Sequence, residues 1–153
     1  MTPTLTIGLA LAIAVGGACG ALLRYGAQLL WPARGASIPP AVLLVNVVGS
    51  AIGGTFLALS TWSNAASATL TSGAGSSPVI DSGLALVVIT GFCGGLTTFS
   101  TFSVETVELA TSGAWRAASG NVVLTVVLGI GAAGLAFVLT NGVLIGTSGA
   151  FVG

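Results

Sequence analysis

The chain has 153 residues, of which 54% are hydrophobic and only 4% charged, and its formal net charge at pH 7 is zero. Soluble domains carry about 25% charged residues, so a mean hydropathy of +1.10 excludes an ordinary water-soluble fold and points to an integral membrane protein. Three Arg, no Lys and no His leave no basic surface for nucleic acid, and the few scattered carboxylates form no evident metal cage or acid–base pair.

A membrane-spanning helix needs about 20 mostly apolar residues. Four stretches qualify, at residues 5–27, 41–62, 84–108 and 119–143, which makes a single four-helix membrane domain of the chain. The N-terminal MTPTLTIGLA lacks the positive n-region of a secretory signal, so the first apolar run is expected to stay in the mature protein. That span closes at Arg24-Tyr25, an Arg able to snorkel beside an interfacial aromatic. The loop LLWPARGASIPP follows, and its prolines break the helix by removing donors and fixing φ. The second span ends at Trp62, another interfacial anchor, and residues 63–82 are rich in Ser, Ala, Gly and Thr, the composition of a flexible linker. The apolar part of the third span, about Leu84 to Val104, is followed by Glu105 and Glu108, and TSGAWRAASG leads into the fourth. The tail from Leu144 to Gly153 is small, apolar and Gly-rich, a frayed helix end or disordered segment.

Four spans put both termini on one side and Arg24, Arg34 and Arg116 on the other. Taken alone, the positive-inside rule favours cytoplasmic Arg-bearing loops and external termini. Cys19 and Cys93 lie inside apolar runs, where Cys behaves as a small packing residue. Of the 24 Gly, Gly16/Gly20 and Gly49/Gly53 have GxxxG spacing, and Gly129, Gly131 and Gly134 cluster in the fourth span. Such small residues let helix backbones approach closely, so a tight bundle that oligomerises is expected.

The polar residues inside the spans carry the functional signal. Asn46, in LLVNVVGS, has no charge near it in sequence, and an amide in hydrocarbon must find a partner. Either an interhelical hydrogen bond or a water-filled path satisfies it. Asn121 and Thr125 open the fourth span one turn apart and share a face, although a Thr can bond back to its own helix. In the third span Gly94-Gly95 is followed by Leu96-Thr97-Thr98, a poor continuous helix because each Gly costs about 1 kcal/mol relative to Ala. A break there would free carbonyls at membrane depth, tolerated only where they are buried in protein, line a cavity or coordinate an ion. Phe99 and Phe102 then fall on one helix face, with Ser100, Thr101 and Ser103 around them. They either pack against a partner or lipid, or turn positive ring edges toward an anion. The residues alone reach an ion or small-solute pathway, with an anion favoured.

The string GFCGGLTTFSTFSVE at residues 91–105 resembles the signature of the Fluc/CrcB fluoride channel family. GGACGALLRY (16–25), NVVGSAIGG (46–54) and GNVVLTVVLG (120–129) support the likeness in order. The resemblance implies an all-α integral membrane protein of four transmembrane helices, the third broken mid-membrane, assembled as an antiparallel (dual-topology) dimer. It implies a fluoride-specific channel, not an enzyme, that lowers cytoplasmic fluoride by passive efflux across the cell membrane. By position, Asn46, Phe99, Phe102, Thr125 and Ser103 would line the fluoride pathway, and Arg24 would support the vestibule and packing. The carbonyls of Gly94 and Thr97 would hold one structural sodium ion at the dimer centre. The chain departs from the family pattern in its long 63–82 linker, its extended tail, and Gly129, which stands at a polar-track position where a hydroxyl residue can occur. The Arg asymmetry fits poorly with equal insertion in both orientations, which leaves either an antiparallel homodimer or a heterodimer with a related chain. A small multidrug transporter would need a carboxylate in the first span, and there is none. A non-transporting assembly subunit would leave Asn46 and the broken Phe-bearing span without a role.

Overall fold

A computed structural model describes the backbone of residues 3–31, 38–70 and 82–150 and the side chains of 6–31, 38–62 and 83–146. Arg34 and linker residues 71–81 lie outside the described residues, as does the end of the tail. The elements in chain order are α1 (Pro3–Leu30), α2 (Pro40–Leu70), α3 (Ser82–Leu86), a π-helical segment (Val87–Cys93), α4 (Gly94–Leu96), α5 (Phe99–Thr111) and α6 (Trp115–Ala150). Every element among the described residues is helical. Four stretches are long and apolar enough to cross a bilayer: Thr6–Leu30, Pro40–Trp62, Gly83–Thr111 and Trp115–Gly146. The shortest, at 23 residues, is about 35 Å long against a hydrocarbon core of about 30 Å.

The helix ends follow from local chemistry. Pro40 opens α2, a position where its fixed φ and missing N–H cost nothing. At the end of α5 the N–H of Ala114 donates to the Leu109 carbonyl and that of Gly113 to Ala110, with Gly113 at φ +83°. That is a Schellman cap, and glycine is the residue that takes the left-handed position cheaply. Three boundaries differ from the sequence expectation. Helix α2 continues through Ser63–Leu70, where a linker is expected, because SNAASATL contains strong helix-forming Ala and follows an established helix. The tail is helical as far as Ala150. Helix α1 reaches Leu30, so Arg24 sits within the span rather than at its end.

The bundle is built from two parallel pairs, read directly from the glycines. A Cβ on Gly91 would lie 2.7 Å from the Ile13 carbonyl oxygen, one on Gly95 would strike the Gly17 carbonyl, and one on Gly20 would strike the Phe92 carbonyl. Contacts that advance together along both chains, 13 with 91 and 17 with 95, make the first and third spans parallel. In the same way a Cβ on Gly129 would lie 3.4 Å from Ser50 Oγ, and one on Gly54 would strike the Ala133 carbonyl. The second and fourth spans are therefore parallel as well. These contacts step by four residues on both partners, the spacing of ridge rows along a helix face. Backbone-to-backbone approach is how helices gain contact energy in lipid, where hydrophobicity supplies no preference.

The core is accordingly thin: among the described residues Ala41, Val42, Val45, Ala58, Ala85, Cys93, Leu96 and Ala118 are the buried hydrophobic side chains. Large side chains point outward all along the spans, among them Leu11, Leu22, Ile130 and Leu139, as expected of surfaces that meet lipid or another chain. Two GxxxG pairs part company here. Gly16 and Gly20 both pack on the third span, whereas Gly49 meets Thr97, and Gly53, like Gly131 and Gly134, faces open space.

Candidate ion pathway

The break in the third span falls at Thr97-Thr98, after the glycine pair. Thr97 (φ −75°, ψ 153°) and Thr98 (φ −145°, ψ 120°) are extended, whereas Gly94 is helical (φ −63°, ψ −35°). The break expected within Gly94–Thr98 is therefore present, and it falls at the threonines that end this stretch rather than at its glycines. Gly95 is there because α1 leaves no room for a side chain. The break instead depends on Asn46 of α2, whose Oδ1 accepts the Thr98 N–H at 2.9 Å while Nδ2 donates to the Thr98 carbonyl at 3.5 Å. An intramembrane amide thus satisfies the peptide that leaves the helix. Thr98 then caps α5: its Oγ1 accepts the Thr101 N–H at 3.3 Å and contacts the Ser100 and Thr101 hydroxyls at 3.2 and 3.1 Å, as N-cap threonines do. The π segment before the break is a second irregularity, and no residue signal announces it.

The break releases carbonyls. The Thr98 N–H, which would have bonded Gly94 in a continuous helix, goes to Asn46, and the Thr101 N–H, which would have bonded Thr97, goes to the Thr98 hydroxyl. Gly94 and Thr97 therefore present oxygens at the negative end of a helical run, and Gly94 is exposed on the chain's surface. Arg24 Nη1 donates to the Thr97 carbonyl at 3.4 Å, which ties α1 to the break and leaves that oxygen its second lone pair. Among the described residues no three His, Cys, Asp or Glu cluster to hold a metal. The donors suited to a hard cation such as sodium are these backbone oxygens, and their chemistry fits it.

Beside the break, an open groove of about 540 Å³ runs between α2, α5 and α6. It is lined by Asn46, Ser50, Thr97, Thr98, Phe99, Phe102, Thr125 and Gly129, with Val126, Ile130 and Ala133 as apolar wall. Four of the five pathway residues named from sequence thus meet in one place. Phe99 and Phe102 stand with ring centroids 5.9 Å apart and planes at 45°. Phe99 is 80% exposed, so the groove is open on that side of a single chain. Ser103 is not among the lining residues, and its hydroxyl donates back to the Phe99 carbonyl at 2.8 Å.

Hydroxyls in this protein mostly bond back to their own helix. Thr55, Thr106, Thr140 and Ser119 each donate to the carbonyl four residues earlier. Thr125 does not: its Oγ1 is buried without a partner, an orphan that costs energy unless something else binds it. Asn121, one turn earlier, is only 1% exposed, and its Nδ2 donates to Thr106 Oγ1 at 2.9 Å. Thr106 passes the bond on to the Phe102 carbonyl at 2.7 Å. The two polar residues that open the fourth span therefore divide the work, Asn121 fixing the backbone under Phe102 and Thr125 facing the groove. Sequence reading missed Ser50 and Thr98. Ser50 was within reach, since it lies one turn beyond Asn46 on the same face of α2.

Residues 11–137 match the model of the family described as CrcB-like protein, Camphor Resistance (CrcB). A protein of Saccharophagus degradans named fluoride-specific ion channel FluC is 40% identical over 139 residues, covering 91% of this chain and 94% of its own. A Yersinia pseudotuberculosis protein named fluoride-specific ion channel FluC 1 is 39% identical over 131 residues, 86% and 92% of the two chains. One from Roseiflexus, with the name fluoride-specific ion channel FluC, is 43% identical over 122 residues, 78% and 86%.

Proposed function

The chain belongs to the CrcB-like family, and from that premise we propose that it is a fluoride channel, a multi-pass membrane protein rather than an enzyme, through which fluoride leaves the cytoplasm passively. The carrying observation is the groove in which Asn46, Phe99, Phe102 and the unpartnered Thr125 hydroxyl converge. Asn46 uses its oxygen on Thr98 and only one long bond from its NH₂, which leaves an amide N–H for an anion. Thr125 offers a hydroxyl with nothing else to donate to. The N-terminus of α5 adds backbone N–H groups and the positive end of its dipole. The phenylalanine edges solvate charge weakly, which lets an ion enter without being trapped.

Direction follows from the membrane potential. Fluoride enters from an acidic medium as neutral HF and dissociates in the less acidic cytoplasm, where the anion is trapped. An interior about 100 mV negative is worth about 2.3 kcal/mol per charge, which holds internal fluoride about 50-fold below external by a pore alone. No energy-coupling site is required.

A groove open at Phe99 conducts only when something closes it. A second chain inserted antiparallel supplies the missing wall, and the exposed Gly94 and Gly134 suit close backbone approach. The Gly94 and Thr97 carbonyls of both chains would then hold a sodium ion at the centre, a structural charge that ties the two breaks together. Expression of this chain alone decides between a homodimer and a pair with a related chain: a stable, conducting dimer from one polypeptide removes the need for a partner. Fluoride efflux from liposomes containing purified protein, with chloride as control, tests the reading. Absence of efflux, or equal passage of chloride, would sink it.

A further inference from the structure

We propose that Ser50 is a further donor of the ion pathway, its hydroxyl reaching across the gap left at Gly129 to serve a small anion at the middle of the membrane. The proposal rests on the channel reading above and extends it to a second rung of the same groove.

The parallel register of α2 and α6 arranges the groove as successive rungs one turn apart. Asn46 and Thr125 form the first, Ser50 and Gly129 the second, and Gly54 meets the Ala133 backbone at the third. At the third rung the helices touch and leave no room, so Ser50 is the last polar side chain before they close. The second rung lies near the middle of both spans, Pro40–Trp62 and Trp115–Gly146. A charge costs most at the bilayer centre, so a donor is worth most there.

Two further observations single out Ser50. Its hydroxyl makes no hydrogen bond among the described residues, unlike Thr55 on the same helix, which donates to Ala51 at 3.1 Å. A helical Ser that forgoes the backbone carbonyl keeps its proton for something else. Opposite it, Gly129 has no side chain, and a Cβ there would already lie 3.4 Å from Ser50 Oγ, so the serine hydroxyl takes the place of a fourth-span side chain at this level of the groove. The fourth span thus omits a hydroxyl at this level and the second span supplies one from the facing wall. The occupant suited to the pair is a small, strongly hydrogen-bonding anion or the water that accompanies it.

Fluoride efflux from liposomes tests this with wild type, Ser50→Ala, and the double variant Ser50→Ala with Gly129→Ser. Loss of a hydrogen bond to a charged species predicts that Ser50→Ala lowers flux about tenfold or more, with dimer assembly and melting temperature unchanged. The double variant, which returns a hydroxyl from the opposite wall, recovers flux. If Ser50→Ala does not assemble, Ser50→Cys, nearly isosteric and a weak donor, gives the same reading through a reduced flux per assembled channel. Wild-type flux in an assembled Ser50→Ala or Ser50→Cys channel overturns the role of Ser50 and leaves the channel reading standing. A wild-type protein that passes no fluoride overturns both.

Discussion

Two glycines on different helices offer a direct test of how the bundle is held together. A Cβ on Gly95 would sit 2.8 Å from the Gly17 carbonyl carbon and closer still to its oxygen. Carbon atoms rest at about 3.5 Å or more, so Gly95→Ala forces the first and third spans at least ~0.7 Å apart at their closest point. Overpacking costs about 1–3 kcal/mol. The obstacle here is backbone that cannot change rotamer, which puts the cost near the upper end. Replacing Gly by Ala in a helix returns about 1 kcal/mol, so the net loss is ~2 kcal/mol. The same substitution at Gly131, which has nothing within 4 Å, meets no obstacle and should be neutral or stabilising by up to ~1 kcal/mol. Reversible unfolding in mixed detergent and SDS micelles measures both. A difference of about 3 kcal/mol between two chemically identical changes is expected from these terms. Equal stability of Gly95→Ala and Gly131→Ala would refute the close approach of the first and third spans.

Gly94→Ala is tolerated within one chain, whose nearest atom is the Ile89 carbonyl oxygen at 4.0 Å; loss of dimer on size-exclusion chromatography with helicity retained would place a partner at that surface. Asn46→Asp keeps an acceptor for the Thr98 N–H but puts a negative charge in the groove, and fluoride efflux should fall at least roughly tenfold, since like charges at about 4 Å repel by up to ~4 kcal/mol at a protein surface. Unchanged efflux would remove Asn46 from the pathway. Phe99→Ile replaces a ring edge by an alkyl surface with no positive rim, so flux should drop sharply with the dimer intact, whereas Ser103→Ala, whose hydroxyl serves only the Phe99 carbonyl, should leave it nearly unchanged. Asn121→Leu removes the donor to Thr106 from a buried site and should cost about 1–3 kcal/mol of stability, read in the same micelle titration.

Composition and spacing determined a great deal by themselves. Charge scarcity and four apolar runs require four spanning helices, because hydrocarbon leaves the backbone no other way to satisfy its own polar groups. Asn46, Phe99, Phe102 and Thr125 stand out in sequence for the same reason, as polar or paired aromatic residues where monotony is cheapest. What pairs with what was beyond that reading. Gly94 and Gly95 look alike in the chain, yet one is exposed and the other lies against the Gly17 carbonyl. Within the expected stretch the break falls at Thr97-Thr98 because Asn46, 52 positions away, captures the Thr98 peptide. Asn121 and Thr125 share a helix face, and only the presence of Thr106 beside one of them separates the structural amide from the free hydroxyl. Ser50 gains its meaning from an empty place at Gly129 on another helix. Periodicity reports which side of a helix is polar, but the register between helices is set by backbone contacts at glycines. Only the folded bundle decides which polar groups are satisfied and which are left facing the groove.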